Sequence, residues 1–135
     1  MQQIVLKKIE KPLEKDIVKD INWVCDSFAL SSGRDTSSIA NKIVAGVIEK
    51  LSRNIRISSD MLANDLKITK ATVNHHLRNL ISSGLIYREK RLIYIRGGSL
   101  KAAVEEIRKD ANRILDEIES IAEEIDNRFG LRHRD

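Results

Sequence analysis

Polar and basic residues able to hydrogen-bond to nucleic acid are concentrated between Lys70 and Arg91. On a helix, residues four apart share a face, so Lys70, Asn74 and Arg78 fall along one side. Asn can pair with two hydrogen-bonding groups of adenine, and Arg can pair with two of guanine. The residue types and their spacing therefore predict a helix whose exposed face could contact base edges in duplex DNA.

The residues that would form this helix run from Thr69 to Ser82, with Thr69 as its cap and Gly84 as its stop. Val73, Leu77 and Leu80 share the apolar face, with Ile81 beside them. Ala71 on the polar face is small enough to approach a thymine methyl. Lys70 and Thr72 lie in the first turn, where backbone N–H groups and the helix dipole favour a phosphate.

A short hairpin is predicted directly after this helix. Its strands are Leu85–Arg88 and Leu92–Arg96, joined by a turn at Glu89-Lys90-Arg91. Ile86 and Ile93 are expected to point inward, whereas Arg88, Lys90, Arg91 and Arg96 are expected to project toward flanking phosphates. The predicted DNA-contacting residues are Lys70, Ala71, Thr72, Asn74, His75, Arg78, Arg88, Lys90 and Arg91.

The elements that must position this surface can also be predicted. Pro12 is placed to open an N-terminal helix that runs to about Leu30, following a short strand or unstructured lead over residues 1–11. Its core-facing residues would be Ile17, Ile21, Val24 and Phe28. Residues 31–37 have the composition of a loop, and Ser38 could cap a second helix. That helix has an apolar stripe at Ile39, Ile43, Val44, Val47, Ile48 and Leu51.

Two further predictions complete the central part of the chain. Ile55–Ile57 is long enough for a small third strand against the hairpin. Ser58 or Ser59 would cap a short helix over Asp60–Leu66, with Met61, Leu62 and Leu66 facing inward. Arg53 and Arg56, just upstream, could extend the basic surface.

The C-terminal helix carries the most regular apolar pattern in the chain. Its seam residues alternate steps of four and three and are Leu100, Val104, Ile107, Ala111, Ile114, Ile118, Ile121 and Ile125. Such a face needs a partner helix. Two partners are considered: the helix around Ile17–Phe28 of the same chain, or a second copy of the chain, for which the seam predicts a dimer in either parallel or antiparallel order.

The stretch from Thr69 to Ile95 resembles winged helix-turn-helix transcription regulators of the ArsR-like and MarR-like families. The matching positions are Thr72, Val73, Asn74, His76, Leu77, Leu80, Gly84, Leu85 and Ile86. Asn74 stands where those families usually have Ser, and the wing turn lacks their Gly-rich tip. The resemblance implies a homodimer that binds a two-fold-related DNA site, with the flanking helices forming the dimer core.

The distribution of charge supports the same assignment. The chain has a net charge of +4, but residues 57–98 hold seven Lys or Arg against three acids, whereas residues 99–135 hold seven against ten. The positive charge is therefore concentrated on the predicted DNA-binding surface.

Other classes of protein are disfavoured. The single cysteine, Cys25, excludes an intramolecular disulfide, and no apolar run is long enough for a membrane span. His75 and His76 point about 100° apart on a helix and cannot ligate one ion together. Because no metal-ligand cluster, nucleophile–base arrangement or phosphate-binding Gly-rich loop is present, we expect no metal, no cofactor and no enzymatic activity.

The sequence thus predicts a mainly α protein with a small β-wing, built as a winged helix-turn-helix domain flanked by N- and C-terminal dimerisation helices. Residues 1–54 would form the N-terminal scaffold, 55–97 the DNA-binding domain and 98–135 the dimerisation helix. The expected function is cytoplasmic, sequence-specific binding of double-stranded DNA as a transcriptional regulator. Two alternatives remain open: a winged-helix protein–protein adaptor, and a sequence-tolerant nucleic-acid binder that uses Lys7, Lys8, Lys11 and Lys15.

Overall fold

A computed structural model describes residues 1–30 and 38–132 of the chain. Within those ranges there are five α-helices and one two-stranded antiparallel sheet. The elements are α1 (Ile17–Ser27), α2 (Ile39–Ser52), α3 (Ser59–Leu66), α4 (Lys70–Ser83), β1 (Ile86–Glu89), β2 (Leu92–Ile95), a 3-10 turn (Arg96–Gly98) and α5 (Leu100–Phe129). This order confirms a mainly α fold with a small β-wing. The predicted loop at residues 31–37 and His133 lie outside the described residues.

Helix α1 starts later and ends earlier than predicted. Its cap is Asp16, whose carboxylate accepts hydrogen bonds from the backbone N–H groups of Val18 at 2.9 Å and Lys19 at 3.2 Å. Because a carboxylate satisfies the free N–H groups of a first turn, the helix begins there and not at Pro12. Ile21 and Cys25 face the core, whereas Ile17, predicted to do so, is exposed.

The N-terminal segment is an extended lead without a strand, held by separate hydrogen bonds. The backbone N–H of Gln3 donates to the carbonyl of Ser82 at 3.1 Å, and that of Lys7 donates to Ser27 at 2.8 Å. The indole of Trp23 donates to the carbonyl of Ile9 at 3.1 Å. These contacts lay residues 1–9 across the ends of α4 and α1.

The core is assembled around α2. Ile43, Val44 and Val47 of this helix are buried, as its predicted stripe requires. They belong to one apolar cluster with residues of α3, α4 and the sheet, listed as Leu62, Val73, Leu77, Leu80, Leu85, Ile86 and Ile93. Ser38 stands at the N-cap of α2, but its backbone is left-handed and its side chain makes no capping hydrogen bond, contrary to prediction.

Helices α3 and α4 form the predicted helix-turn-helix. The hydroxyl of Ser58 accepts from the N–H of Met61 at 3.2 Å, and that of Thr69 accepts from Thr72 at 3.1 Å. Gly84 ends α4 with φ +93, a conformation that favours glycine. The ammonium of Lys50 on α2 pairs with Asp65, which ties α2 to α3. Of the predicted inward residues, Leu62 is buried, while Met61 and Leu66 are half-buried.

The wing is an antiparallel hairpin in which Ile86 pairs with Ile95 and Glu89 pairs with Leu92. Ile86 and Ile93 are buried, as predicted. The carbonyl of Ile57 accepts the N–H of Ile93 at 2.9 Å, but Ile55–Ile57 forms no third strand, so that prediction was wrong. Lys90 and Arg91 complete a two-residue turn with φ of 51° and 69°. Two left-handed residues in succession are typical of a type I′ hairpin turn.

Helix α5 has two parts that differ in burial. In the first part, which we call the root (Leu100–Arg113), Ala103, Ile107 and Asp110 are buried in the domain. In the second part, the arm (Ile114–Leu131), every described side chain is exposed. Packing of the whole seam onto α1 of the same chain is therefore wrong, because the arm leaves the domain uncovered.

A buried carboxylate joins the root to the wing and to the N-terminus. The side chain of Asp110, only 5% exposed, accepts hydrogen bonds from both terminal nitrogens of Arg96 and from Arg113. Gln2 Nε2 donates to it at 2.8 Å. Arg96, predicted to project from the wing, is instead turned inward by this pairing. Chiefly because of the hydrogen bonds from Arg96, opposed by burial and assisted by Gln2, the pKa of Asp110 falls to about 2.

Replacing this carboxylate should make the protein less stable in a pH-dependent way. We expect Asp110→Asn to lower the free energy of unfolding by about 2 kcal/mol near pH 7. The ionised carboxylate stabilises the fold above the pKa of the unfolded chain, near 4, and this contribution is lost as the pH falls toward 2. Urea unfolding at several pH values should show the difference between wild type and variant shrinking from pH 4 to pH 2. A difference independent of pH would contradict the assignment.

The turn residues of the wing should limit its stability. A left-handed backbone is unfavourable for Lys and Arg, whereas Asn-Gly is preferred in a type I′ turn. We expect Lys90→Asn with Arg91→Gly to raise the free energy of unfolding by about 1 kcal/mol. Thermal unfolding would measure this gain, with Lys90→Ala and Arg91→Ala as the control that removes the same charges without relieving the backbone. An equal gain in both variants would assign the effect to charge.

Candidate nucleic-acid interface

Helix α4 separates its apolar and polar residues as its sequence predicts. Val73, Leu77 and Leu80 are buried against the core. The predicted contact residues Lys70, Ala71, His75 and Arg78 are exposed, and Thr72 and Asn74 are half-buried. Helix α4 therefore presents a polar face whose central cation is Arg78.

The wing brings a second set of predicted residues beside this helix. Arg88 and Arg91 line a cleft of about 380 Å³ together with Lys70 and Asn74 of α4. The opposite wall of the cleft consists of Ser58, Ser59 and Asp60, at the start of α3. Lys90 does not line the cleft but is exposed at the tip of the wing. The structure thus gathers four of the predicted residues around one polar depression.

One hydrogen bond connects the wing directly to α4. Arg88 Nη2 donates to Asn74 Oδ1 at 2.9 Å. Asn74 was predicted to pair with adenine through both its amide oxygen and its amide nitrogen. In this arrangement the oxygen is used by Arg88, and the amide N–H₂ is the group left to face a ligand. The wing and α4 consequently form a single surface.

The side chains of Ser58, Ser59 and Asp60 were missed as surface residues by the sequence reasoning, which considered the serines only as caps. Asp60 Oδ1 lies 3.3 Å from Lys70 Nζ, so part of the positive charge at the start of α4 is neutralised within the protein. The proximity of the two helix starts in a helix-turn-helix is the signal that could have identified this wall of the cleft.

The remaining cations of the surface carry no such partner. Within residues 1–30 and 38–132, Arg78, Lys90 and Arg91 form no ion pair, and they are exposed. Exposed unpaired cations attract phosphates over distances of about a Debye length, roughly 10 Å at 0.1 M salt. By contrast, Arg53, considered as an extension of the surface, pairs with Glu49 at 2.8 Å.

Alternative chemistry finds little support in the described residues. Cys25 is fully buried, and burial raises the pKa of its thiol to about 12, so it stays protonated at neutral pH. The rings of His75 and His76 meet edge to face with centroids 5.3 Å apart, and His76 is half-buried. No group of three or more possible metal ligands occurs in the part of the chain that the structure describes.

Comparison with known proteins bears on the same region. Residues 46–88 match the family model described as bacterial regulatory protein, arsR family. Neither the curated proteins nor the solved structures give a significant match to the chain. No helix of the described ranges has the length and apolar character needed to cross a membrane.

The matched residues extend from the middle of α2 to Arg88 on β1. They include both capped helices, the turn between them and the first wing strand. With the antiparallel partner strand and the basic surface in place, the match and the fold identify the chain as a winged helix-turn-helix protein with the DNA-binding domain of the ArsR family of transcription regulators.

Proposed function

We propose that this protein is a sequence-specific transcriptional regulator that binds double-stranded DNA as a homodimer. Residues 69–82 would enter the major groove, and residues 85–96 would lie along the flanking backbone. The observation that carries this proposal is the hydrogen bond between Arg88 and Asn74, because it combines the wing and α4 into one basic surface.

The positions of the side chains suggest a division of roles. Arg78 lies on the exposed face of α4 and is long enough to pair with guanine, while Ala71 and His75 are exposed beside it and would contact neighbouring base edges. Lys70 and Thr72, in the first turn, are suited to phosphate contacts. Arg88, Lys90 and Arg91 on the wing would bind phosphates without distinguishing sequence.

The seam residues of α5 divide between the domain and the proposed dimer. Ile107 is buried in its own domain, and Leu100 and Val104 are half-buried. The surface free for a second copy therefore lies at Ile114, Ile118, Ile121 and Ile125, with Ala111 at its start. In domain terms, residues 1–54 serve as scaffold and 55–97 bind DNA, while the dimerisation region 98–135 also contributes the root to the DNA-binding domain's core.

The regulator is proposed to act without catalysis or a bound cofactor. The buried thiol of Cys25 is not available as a nucleophile, and duplex DNA is the only ligand that the surface of α4 and the wing suits by charge and shape. Because its proposed target is chromosomal DNA, we place the protein in the cytoplasm.

Fluorescence anisotropy with two duplexes at two salt concentrations tests this function. One duplex would carry the region upstream of the coding sequence, and the other a scrambled sequence. A specific regulator should bind the first roughly 10³-fold more tightly or better, with affinity falling steeply in salt on both. Equal, salt-dependent binding would instead support a sequence-tolerant binder, and absence of binding would support a protein adaptor.

The division of roles predicts different losses for two arginines. Arg78→Ala should reduce affinity for the specific duplex by about 1–3 kcal/mol and leave the scrambled duplex nearly unchanged. Arg91→Ala should weaken both duplexes alike and reduce the salt slope by about one. The control is Lys42→Ala, an exposed cation of α2 outside the cleft. Equal losses on both duplexes for Arg78→Ala would contradict its role.

The arm should determine the oligomeric state without affecting the fold. We expect Ile118→Lys with Ile121→Lys to convert the dimer to a monomer in sedimentation equilibrium, because both side chains are exposed in the single chain and would be buried only against a partner. The thermal midpoint of the domain should remain within a few degrees. Ser120→Lys with Asn127→Lys adds the same charge outside the seam and should leave the dimer intact. A dimer that persists in the first variant would exclude the arm as the interface.

A further inference from the structure

Two exposed apolar surfaces of the chain lack a partner within it. The first is the arm, where Ile118, Ile121 and Ile125 are each more than half exposed. The second, which we call the N-terminal surface, comprises the exposed apolar residues between positions 6 and 18. They are Leu6, Ile9, Leu13, Ile17 and Val18.

These two surfaces carry opposite charge. The arm has six acidic residues against one basic residue, Arg128, and the acids are Asp116, Glu117, Glu119, Glu123, Glu124 and Asp126. The N-terminal surface includes four lysines that form no ion pair within the described residues, namely Lys7, Lys8, Lys11 and Lys15. Of its acids, Glu14 pairs with Lys19 at 2.8 Å, and Asp16 caps α1.

The N-terminal surface begins in a groove beside the start of the arm. The groove has a volume of about 440 Å³ and is lined chiefly by Ile4, Leu6, Ala111, Ile114 and Leu115. The hydrogen bond from Gln2 to Asp110 fixes the N-terminal segment against the root, so the groove is a built feature of the domain. It leads from the exposed seam of α5 onto the N-terminal surface.

The arm of the same chain cannot occupy this groove. A helix rises about 1.5 Å per residue, so Ile125 lies about 15 Å beyond Leu115 along a continuous α5. A second copy can place its arm there only if the two helices run in opposite directions. Parallel pairing would instead set each acidic arm beside its own copy and leave both lysine-bearing surfaces uncovered, which is electrostatically unfavourable.

We propose that two copies associate through antiparallel arms, each lying in the groove and on the N-terminal surface of the other. The inference deepens the homodimer of the proposed function, on which it rests, by specifying the order of the helices and a surface outside α5. Apolar contact would come from Ile121, Ile125 and Phe129 of the arm. The lysines of the N-terminal surface would neutralise the partner's acidic residues.

Cysteine cross-linking distinguishes the two orders. The only native cysteine, Cys25, is buried, so introduced thiols can be addressed selectively. Leu6→Cys with Ile125→Cys in one full-length chain, treated with a short bis-maleimide, should give a covalent dimer. Either substitution alone should give none, because antiparallel arms hold like positions apart. Efficient cross-linking of Ile125→Cys alone would show parallel arms and overturn the inference, as would a dimer that no variant cross-links.

A charge exchange tests the complementarity independently. Glu123→Lys with Glu124→Lys should raise the dimer dissociation constant tenfold or more, and adding Lys7→Glu with Lys8→Glu should restore it. Glu105→Lys, an exposed acid of the root, is the matched control and should have no effect. No restoration in the combined variant would overturn the proposed contact.

The two proposals fail in distinguishable ways. DNA anisotropy on the same samples reports the regulator function, whereas cross-linking reports the order of the arms. A retained difference between duplexes with a failed cross-link overturns only the antiparallel order. A monomer that does not distinguish the duplexes overturns both.

Discussion

The buried ion pair of Asp110 joins three parts of the chain that are far apart in sequence. Arg96 follows the second wing strand, Asp110 lies on the root of α5 and Gln2 belongs to the N-terminal lead. A buried carboxylate is stable only when its oxygens are paired, so the three segments must meet at one place. The position of the wing, the direction of α5 and the groove beside it all follow from that meeting.

The DNA-binding surface depends on the same arrangement. Arg96 lies immediately after β2, and Arg88 on the neighbouring strand contacts Asn74 of α4. From Asp110 to α4, the connection therefore consists of one ion pair, one strand pairing and one hydrogen bond. Any displacement of the root would be transmitted to the wing through this short path, and this provides a physical route by which the state of α5 could influence DNA binding.

Local signals in the sequence predicted the helix-turn-helix well. Ser58, Thr69 and Gly84 have few structural roles other than capping or stopping a helix, so the helix boundaries could be predicted within a residue. The wing strands followed from β-branched and aromatic residues around a charged turn. The family match over residues 46–88 covers the part of the chain where these signals are most dense.

The errors arose where a tertiary partner decides the outcome. Pro12 and Asp16 are both acceptable helix starts, and the contacts of residues 1–9 with α4 and α1 place the lead before Asp16. Arg96 was indistinguishable in sequence from the other wing cations, because its partner is fourteen residues away on another element. The cleft wall at Ser58 to Asp60 and the groove beside α5 likewise exist only once separate elements are packed together.

The exposed arm has a consequence for the lifetime of the protein in the cell. A helical segment of this length without tertiary contacts is marginally stable in water, so in a single chain the arm would unfold frequently and be open to proteases. Association removes that vulnerability by mass action. The intracellular amount of the regulator would then be set partly by its own concentration, since chains made in small numbers would be degraded before they meet a second copy.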